Sequence, residues 1–182
     1  MDTNQNTLDS FPWPIVLFCE GVALSVVGVG LYFTVRLSLA LAVLYGLYCL
    51  WVEMRVLWMS CRHCFYYGKV CGFGKGKLCS WLFDKGDPSR FAERQITWRD
   101  VAPDLVVPLA ALVAGVVLLI RSFSWVTLLL LVALVLLGTI GTGTARGRFA
   151  CKYCRQRETG CPAQRLFASP AQQAPTEEDR RA

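Results

Sequence analysis

Charged residues are scarce in this sequence. Asp, Glu, Lys and Arg make up 18% of its 182 residues, apolar residues make up 54%, and the mean hydropathy is +0.42. A chain of this composition has too little charge to cover a soluble domain and too many apolar residues to remain disordered. Histidine occurs once, as His63, so no Ser–His–Asp pattern is evident and the sequence does not decide whether the protein is an enzyme. The composition indicates an all-α integral membrane protein.

Two long apolar runs are each too long for a single membrane span. The run from Pro14 to Met59 has 46 residues and would measure about 69 Å as one helix, more than twice the roughly 30 Å of hydrocarbon. The run from Leu105 to Gly143 has 39 residues and would measure about 58 Å. Each run therefore predicts a hairpin, with turns near Arg36–Ser38 and at Arg121–Ser124. The four predicted spans are Pro14–Val35, Leu37–Trp58, Leu105–Ile120 and a last span ending at Gly143.

Basic residues are distributed unevenly between the two predicted faces. Segments 61–100 and 145–182 carry eight Lys or Arg each, whereas the two hairpin turns carry only Arg36 and Arg121. By the positive-inside rule, both termini and the 61–100 segment face the cytoplasm, and the protein belongs to the cytoplasmic membrane. The net charge of +6 fits an anionic inner leaflet and requires no nucleic-acid partner. The N-terminal tail lacks the basic region of a cleaved signal peptide.

The cysteines show an internal repeat. Cys61, Cys64 and Cys71 form a C-x2-C-x6-C pattern, and each recurs 90 positions later. The offset is close to half the chain length, which predicts two tandem, parallel hairpin repeats, each followed by a cytosolic Cys-rich segment. The predicted regions are an N-terminal cytosolic tail (1–13), hairpin 1 (14–60), Cys-rich segment 1 (61–100), hairpin 2 (101–143), Cys-rich segment 2 (144–168) and a disordered tail (169–182).

Paired cysteines at this spacing are typical of metal sites. Two C-x2-C pairs from separate parts of a chain supply the four thiolates of a tetrahedral centre, most often zinc. The six ligand candidates are Cys61, Cys64, Cys71, Cys151, Cys154 and Cys161. Because six thiols exceed the needs of one zinc ion, an iron–sulfur cluster is the alternative, although neither ferredoxin spacing is present. Cys19 and Cys49 lie within spans and are expected to be inert packing residues.

Three charged residues interrupt the first hairpin. Glu20, Glu53 and Arg55 should lie at a similar depth under the Cys-rich segment. Intramembrane charges are functional candidates, but a neutralising pair of Arg55 with Glu20 or with Glu53 is the simpler interpretation. The second hairpin is expected to have no carboxylate in its span.

Three functions are compatible with these patterns. The first is a scaffold or partner-binding subunit held together by a structural zinc–thiolate site, with a possible protein partner at its cytosolic cap. The second is a redox protein with an iron–sulfur centre or exchangeable thiols. The third is a small transporter or enzyme that uses Glu20, Glu53 and Arg55. Small-xxx-small pairs such as Ala111-x3-Gly115 favour close helix packing, within the chain or in a homo-oligomer. Substrate and biological process are not indicated.

Overall fold

Four long helices dominate the computed structural model, which describes residues 7–94, 96–157 and 161–162. Each of the four is long and apolar enough to span a membrane. The predicted all-helical class and number of spans are therefore confirmed. The helices, in chain order, are α1 (Trp13–Leu37), α2 (Leu39–Met59), α3 (Lys75–Leu82), α4 (Pro88–Glu93), α5 (Trp98–Arg121) and α6 (Trp125–Ala150).

Both predicted hairpin turns are present, and both are short. Ser38 alone separates α1 from α2, with an extended backbone at φ −169° and ψ 139°. Ser122 and Ser124 are also extended, and they bound the turn between α5 and α6. Since none of these residues has a positive φ, the turns do not require glycine. This explains why neither turn contains the glycine or proline that usually indicates a turn in a sequence.

Helix α5 begins at Trp98, seven residues before the predicted start at Leu105. Thr97 and Asp100 form a capping box, which satisfies the first free N–H groups of the helix. Pro103 lacks an N–H and so leaves the Arg99 carbonyl without its helical donor. Arg55 of α2 donates to that carbonyl at 3.4 Å and to the Asp100 carbonyl at 3.0 Å. The capping box and the hydrogen bonds from Arg55 thus stabilise the charged first turn of α5. A hydropathy profile does not detect such bonds, so the sequence placed the start of this helix too late.

Helix α6 continues beyond its predicted end at Gly143. It includes two π-helical segments, Leu137–Gly141 and Ala145–Ala150. The Cys19 thiol of α1 donates to the Ala145 carbonyl at 3.6 Å. The helix therefore runs directly into Cys151, the first cysteine of the second segment.

The core lies where α1 packs against α5, with α2 beside α1 and α6 beside α5. Phe33 of α1 and Ala111 of α5 are both 0% exposed at this crossing. A side chain at Gly115 would meet the Phe33 ring at 2.8 Å. The predicted small-residue pair therefore allows close packing of helices within the chain.

Candidate metal centre

The first cysteine pair lies in a tight turn directly after α2. Residues Cys61–His63 form a single 3₁₀ turn. The Cys64 N–H donates to the Cys61 carbonyl at 3.3 Å, and the Tyr67 N–H donates to the Cys64 carbonyl at 3.1 Å. Burial raises the pKa of the Cys64 thiol, and the backbone amides of Tyr66 and Phe65 oppose that shift. Amide donors of this kind orient a sulfur and stabilise its thiolate form.

The second pair has the same hydrogen bonds 90 residues later. The Cys154 N–H donates to the Cys151 carbonyl at 3.3 Å, and the Arg157 N–H donates to the Cys154 carbonyl at 3.2 Å. Burial raises the pKa of the Cys154 thiol and the Gln156 backbone amide opposes that shift, as the Tyr66 amide does for Cys64. The two C-x2-C pairs thus share one local geometry, which we call the two knuckles.

Cys71 has its own amide donor. The Gly76 N–H donates to the Cys71 sulfur at 3.4 Å. Gly74 has a φ of +66°, and this left-handed conformation starts α3 and turns the chain back toward Cys71. A side chain at Gly76 would collide with the carbonyl oxygens of Tyr66 and Lys69. Glycine at position 76 therefore allows the donor to approach the sulfur.

Tyr66 holds the two knuckles together. Its side chain is 1% exposed, and its hydroxyl accepts from the Arg155 N–H at 2.9 Å. Burial raises the pKa of Tyr66 to about 12, so the hydroxyl stays protonated and donates to the Leu8 carbonyl at 2.5 Å. Beside it, the Phe65 N–H donates to the Gln156 side-chain oxygen at 2.6 Å. The two Cys-rich segments are therefore in direct contact.

The segment before α1 completes this contact. Leu8 donates through its N–H to the Tyr153 carbonyl at 3.0 Å and forms a parallel bridge with Cys154. Phe11 is 4% exposed and packs against Tyr66 at a ring-centroid distance of 5.6 Å. Cys64, Cys71 and Cys154 border this one apolar cluster.

The sequence did not predict the residues that join the two segments. The N-terminal segment was interpreted only as a polar tail, and Tyr66, Gln156 and Leu8 were not among the predicted site residues. Tyr66 and Gln156 are themselves 90 positions apart, so the repeat register contained a signal for them.

The thiols lie within electrostatic range of one another. Burial, together with the smaller effects of Cys71 and Cys161, raises the pKa of Cys64 to about 11. Burial, together with the smaller effects of Cys64, Cys161 and Cys151, raises the pKa of Cys154 to about 12. Cys161 thus lies within electrostatic range of both knuckles. All nine cysteines are free thiols. Within the described residues, no three His, Cys, Asp or Glu side chains are grouped closely enough to hold a metal ion.

His63 and Cys79, two further possible ligands near the first knuckle, have other partners. The Nδ1 of His63 lies 3.0 Å from the Asp87 carbonyl oxygen. Burial raises the pKa of Cys79, and its thiol is 0% exposed and donates to the Leu57 carbonyl at 3.5 Å. Cys19 and Cys49 are buried among helices, as expected for packing residues.

Ion pairs connect α2 with its neighbours in a pattern that differs from the predicted one. Lys75 binds Glu53 at 2.5 Å. Arg55 contacts Asp100 at 3.4 Å, and Arg94 contacts the same carboxylate at 2.7 Å. The predicted pairing of Arg55 with Glu20 or Glu53 is therefore wrong. Asp100 was not considered as a partner because it precedes the apolar run of α5.

Two further carboxylates lie inside the bundle. One oxygen of Glu20 and one of Asp104 are buried and have no hydrogen-bond partner among the residues described. Asp104 belongs to α5 because this helix begins at Trp98. The candidate span Trp98–Arg121 therefore includes Asp104, one position before the predicted start of that span at Leu105.

Comparisons with protein families, curated proteins and solved structures find no match to this chain. Four apolar helices of membrane-spanning length define its class, a helical membrane protein.

Proposed function

We propose that this membrane protein is a scaffold whose two Cys-rich segments share a zinc–thiolate site. The observation that carries the proposal is the contact between two knuckles of matching geometry through the Tyr66 hydroxyl. Each knuckle contributes two sulfurs, and two such pairs supply a tetrahedral four-thiolate site. With all four positions taken by protein, no water or substrate could bind the metal, so the site would be structural.

The surroundings of the thiols support this chemistry. Four thiolates around one Zn²⁺ leave a net charge of about −2, which amide donors and nearby cations offset. Arg146 and Arg157 lie within electrostatic range of Cys151, and Gly76 donates to the Cys71 sulfur. Zinc would draw the sulfurs closer together than they lie in this structure and would displace their protons. The raised pKa values of Cys64 and Cys154 disfavour a reactive-thiol function, since thiol exchange requires the thiolate form.

The orientation that we propose places this centre at the cytosolic face of the cytoplasmic membrane. Both Cys-rich segments are basic, which suits an anionic inner leaflet. In this arrangement the chain consists of two tandem hairpin repeats, and the zinc site joins the two cytosolic segments into one cap. We propose that the cap binds a protein partner.

Metal analysis of purified protein tests the zinc site. We would purify the chain anaerobically in detergent, record its absorption spectrum and measure bound metals by mass spectrometry. The expected result is a colourless protein that retains zinc. Cys64→Ser and Cys154→Ser should each lower the zinc content, because each removes one sulfur of a knuckle. Cys49→Ser is the matched control and should leave it unchanged, since Cys49 is buried among the membrane helices.

Two results would contradict this proposal. A brown protein with bound iron and acid-labile sulfide would identify an iron–sulfur centre and favour electron transfer at the membrane surface. A folded protein that binds no metal and has six titratable thiols would exclude both centres.

A further inference from the structure

We propose that a groove on the outer face of α2 binds an anionic phospholipid, with one acyl chain in the groove and the headgroup phosphate at Arg62. This proposal goes beyond the zinc scaffold and does not depend on a bound metal.

The groove follows one face of α2. It is open and has a volume of about 370 Å³. It is lined by five residues of α2 and by the residue that follows α3, namely Trp51, Met54, Arg55, Trp58, Met59 and Phe83. The five α2 residues have the i, i+3, i+4, i+7, i+8 spacing of a single helical face. The apolar side chains among them are exposed, so in a membrane this face contacts lipid.

The groove matches one leaflet of a bilayer in length and depth. Trp51 and Met59 are eight positions apart, which corresponds to about 12 Å along the helix axis. Half of the hydrocarbon thickness is about 15 Å. The candidate span that contains α2 ends at His63, so the groove occupies the last part of this span, next to the headgroups. An acyl chain aligned with α2 fits this position.

The end of the groove near the headgroups is positively charged. Arg55 belongs to the lining, and Arg94 donates to the Met59 carbonyl at 2.9 Å. Both arginines pair with one carboxylate, that of Asp100, at 3.4 and 2.7 Å. Across the surrounding segment 61–100, eight Lys or Arg outnumber four Asp or Glu. This charge favours an anionic headgroup over a zwitterionic one.

Arg62 is the cation best placed to bind the phosphate. Its guanidinium carbon lies 4.3 Å from the centroid of the Trp58 ring, which lines the groove. Among the described residues Arg62 has no ion-pair partner, and its Nε is buried without a hydrogen-bond acceptor. Phosphate oxygens accept paired hydrogen bonds from a guanidinium group. A headgroup at the end of the groove would supply the missing acceptor once the Arg62 side chain turns toward it.

The lining favours a lipid chain over a protein helix. Helices that pack against each other within a membrane usually meet through small residues, which allow their backbones to approach. The groove is lined instead by two tryptophans, two methionines, a phenylalanine and an arginine. Tryptophan is typical of the headgroup level, and the flexible methionine side chain adapts to irregular apolar partners. We therefore assign the groove to an acyl chain and not to a second copy of this protein.

Lipid retention in native mass spectrometry tests the proposal. The full chain is purified in detergent and incubated with phosphatidylglycerol or with phosphatidylcholine that has the same acyl chains. We expect phosphatidylglycerol to remain bound under conditions that remove phosphatidylcholine. Arg62→Gln should weaken phosphatidylglycerol binding about fivefold, the contribution of one cation near an anionic surface. Arg121→Gln, at the end of α5, is the matched control and should bind lipid as the unmodified chain does.

Photocrosslinking locates the bound acyl chain. Phosphatidylglycerol with a diazirine in one acyl chain should modify peptides that contain residues 51–59, and crosslinks confined to other helices would overturn the assignment to the groove. Equal retention of the two lipids by the unmodified chain would overturn the preference for an anionic headgroup. An equal loss in the two arginine variants would overturn the role of Arg62. A dimer crosslinked through residues 51–59 of both copies would show that a second copy occupies the groove. The measurements on the unmodified chain decide the proposal even if a variant fails to fold.

Discussion

Tyr66 joins three segments of the chain through one hydroxyl group. The hydroxyl donates to Leu8, which precedes α1, and accepts from Arg155 in the second Cys-rich segment. Since Tyr66 is 1% exposed, water cannot readily replace either bond. A buried polar group that loses its partner typically costs about 1–3 kcal/mol. Tyr66 therefore stabilises the contact between the two knuckles.

The first prediction concerns this hydroxyl. Tyr66→Phe should lower the free energy of unfolding by about 1–3 kcal/mol, because it leaves the half-buried Leu8 carbonyl without the hydroxyl donor. If the knuckles bind zinc as proposed, the variant should also lose the metal to a chelator faster, since the knuckles would be held together less firmly. Thermal unfolding in detergent and chelator kinetics measure these effects. Tyr32→Phe is the control, because Tyr32 is 38% exposed on α1; equal behaviour of the two variants would contradict the prediction.

Residue-level prediction from the sequence succeeded where a pattern repeats and failed where a partner is distant. The 90-residue offset identified six cysteines, and the structure brings both of their segments into contact. Whether these six bind metal stays a prediction. Arg55 was assigned the wrong partner, because its carboxylate, Asp100, lies 45 positions along the chain. No local pattern in the sequence encodes that separation.

At the scale of elements, the crossing of α1 and α5 depends on one glycine. A side chain at Gly115 would meet the Phe33 ring at 2.8 Å and Leu131 at 2.7 Å. Gly115→Leu should therefore push the helices apart and cost about 1–3 kcal/mol or more through overpacking. Gly138→Leu is the matched control, because a side chain at Gly138 has nothing within 4 Å. Unfolding in detergent measures the stability of both variants. Equal stability would show that a large side chain at Gly115 does not disturb the crossing of α1 and α5.

Helix α4 provides an element-level prediction about pH. Asp87 caps the helix by accepting from the Ser89 N–H at 2.9 Å. Hydrogen bonds from Ser89 hold the pKa of the Asp87 carboxyl below its usual value. A lowered folded-state pKa means that the stabilisation is present above the unfolded-state pKa and is lost as pH falls through the folded-state value. Amide exchange in α4 should therefore accelerate, relative to the rest of the chain, once acid protonates Asp87.

The control for this effect is Asp87→Asn. Asparagine retains a side-chain oxygen for the cap but does not titrate in this range. The variant should have nearly the same α4 protection at neutral pH and should lack the acid-dependent change. An unchanged acid response in Asp87→Asn would assign the transition to another group.

The boundaries of elements were predicted well at the turns and poorly at the charged helix ends. Arg36 and Arg121 flank the two hairpin turns, and charge at a turn is visible in hydropathy. The start of α5 was missed because Thr97, Asp100 and Arg55 stabilise a charged first turn. The end of α6 was missed because its π segments continue the helix through Gly141 and Gly147. Capping and helix–helix hydrogen bonds, which hydropathy does not measure, account for most of the difference.

At the scale of the whole molecule, contact between the two Cys-rich segments constrains the topology. The hydrogen bonds of Tyr66 and Phe65 to the second segment require both segments to lie on one side of the membrane. The single-residue turn at Ser38 and the turn at Ser122–Ser124 must then both lie on the opposite side. The positive-inside rule assigns the cytosol to the basic Cys-rich side.

Labelling of intact cells with a membrane-impermeant maleimide tests this topology. Ser38→Cys and Phe123→Cys should both react in intact cells, because Ser38 and Phe123 lie in the hairpin turns and Phe123 is 65% exposed. In the proposed orientation Lys85 and the native thiols of the two segments face the cytosol, so Lys85→Cys and the wild-type chain should react only after permeabilisation. Labelling of both the wild-type chain and Lys85→Cys in intact cells would invert the orientation and would still be compatible with the proposed shared centre. Labelling of only one hairpin turn would place the turns on opposite sides and exclude the parallel repeat together with the shared metal site.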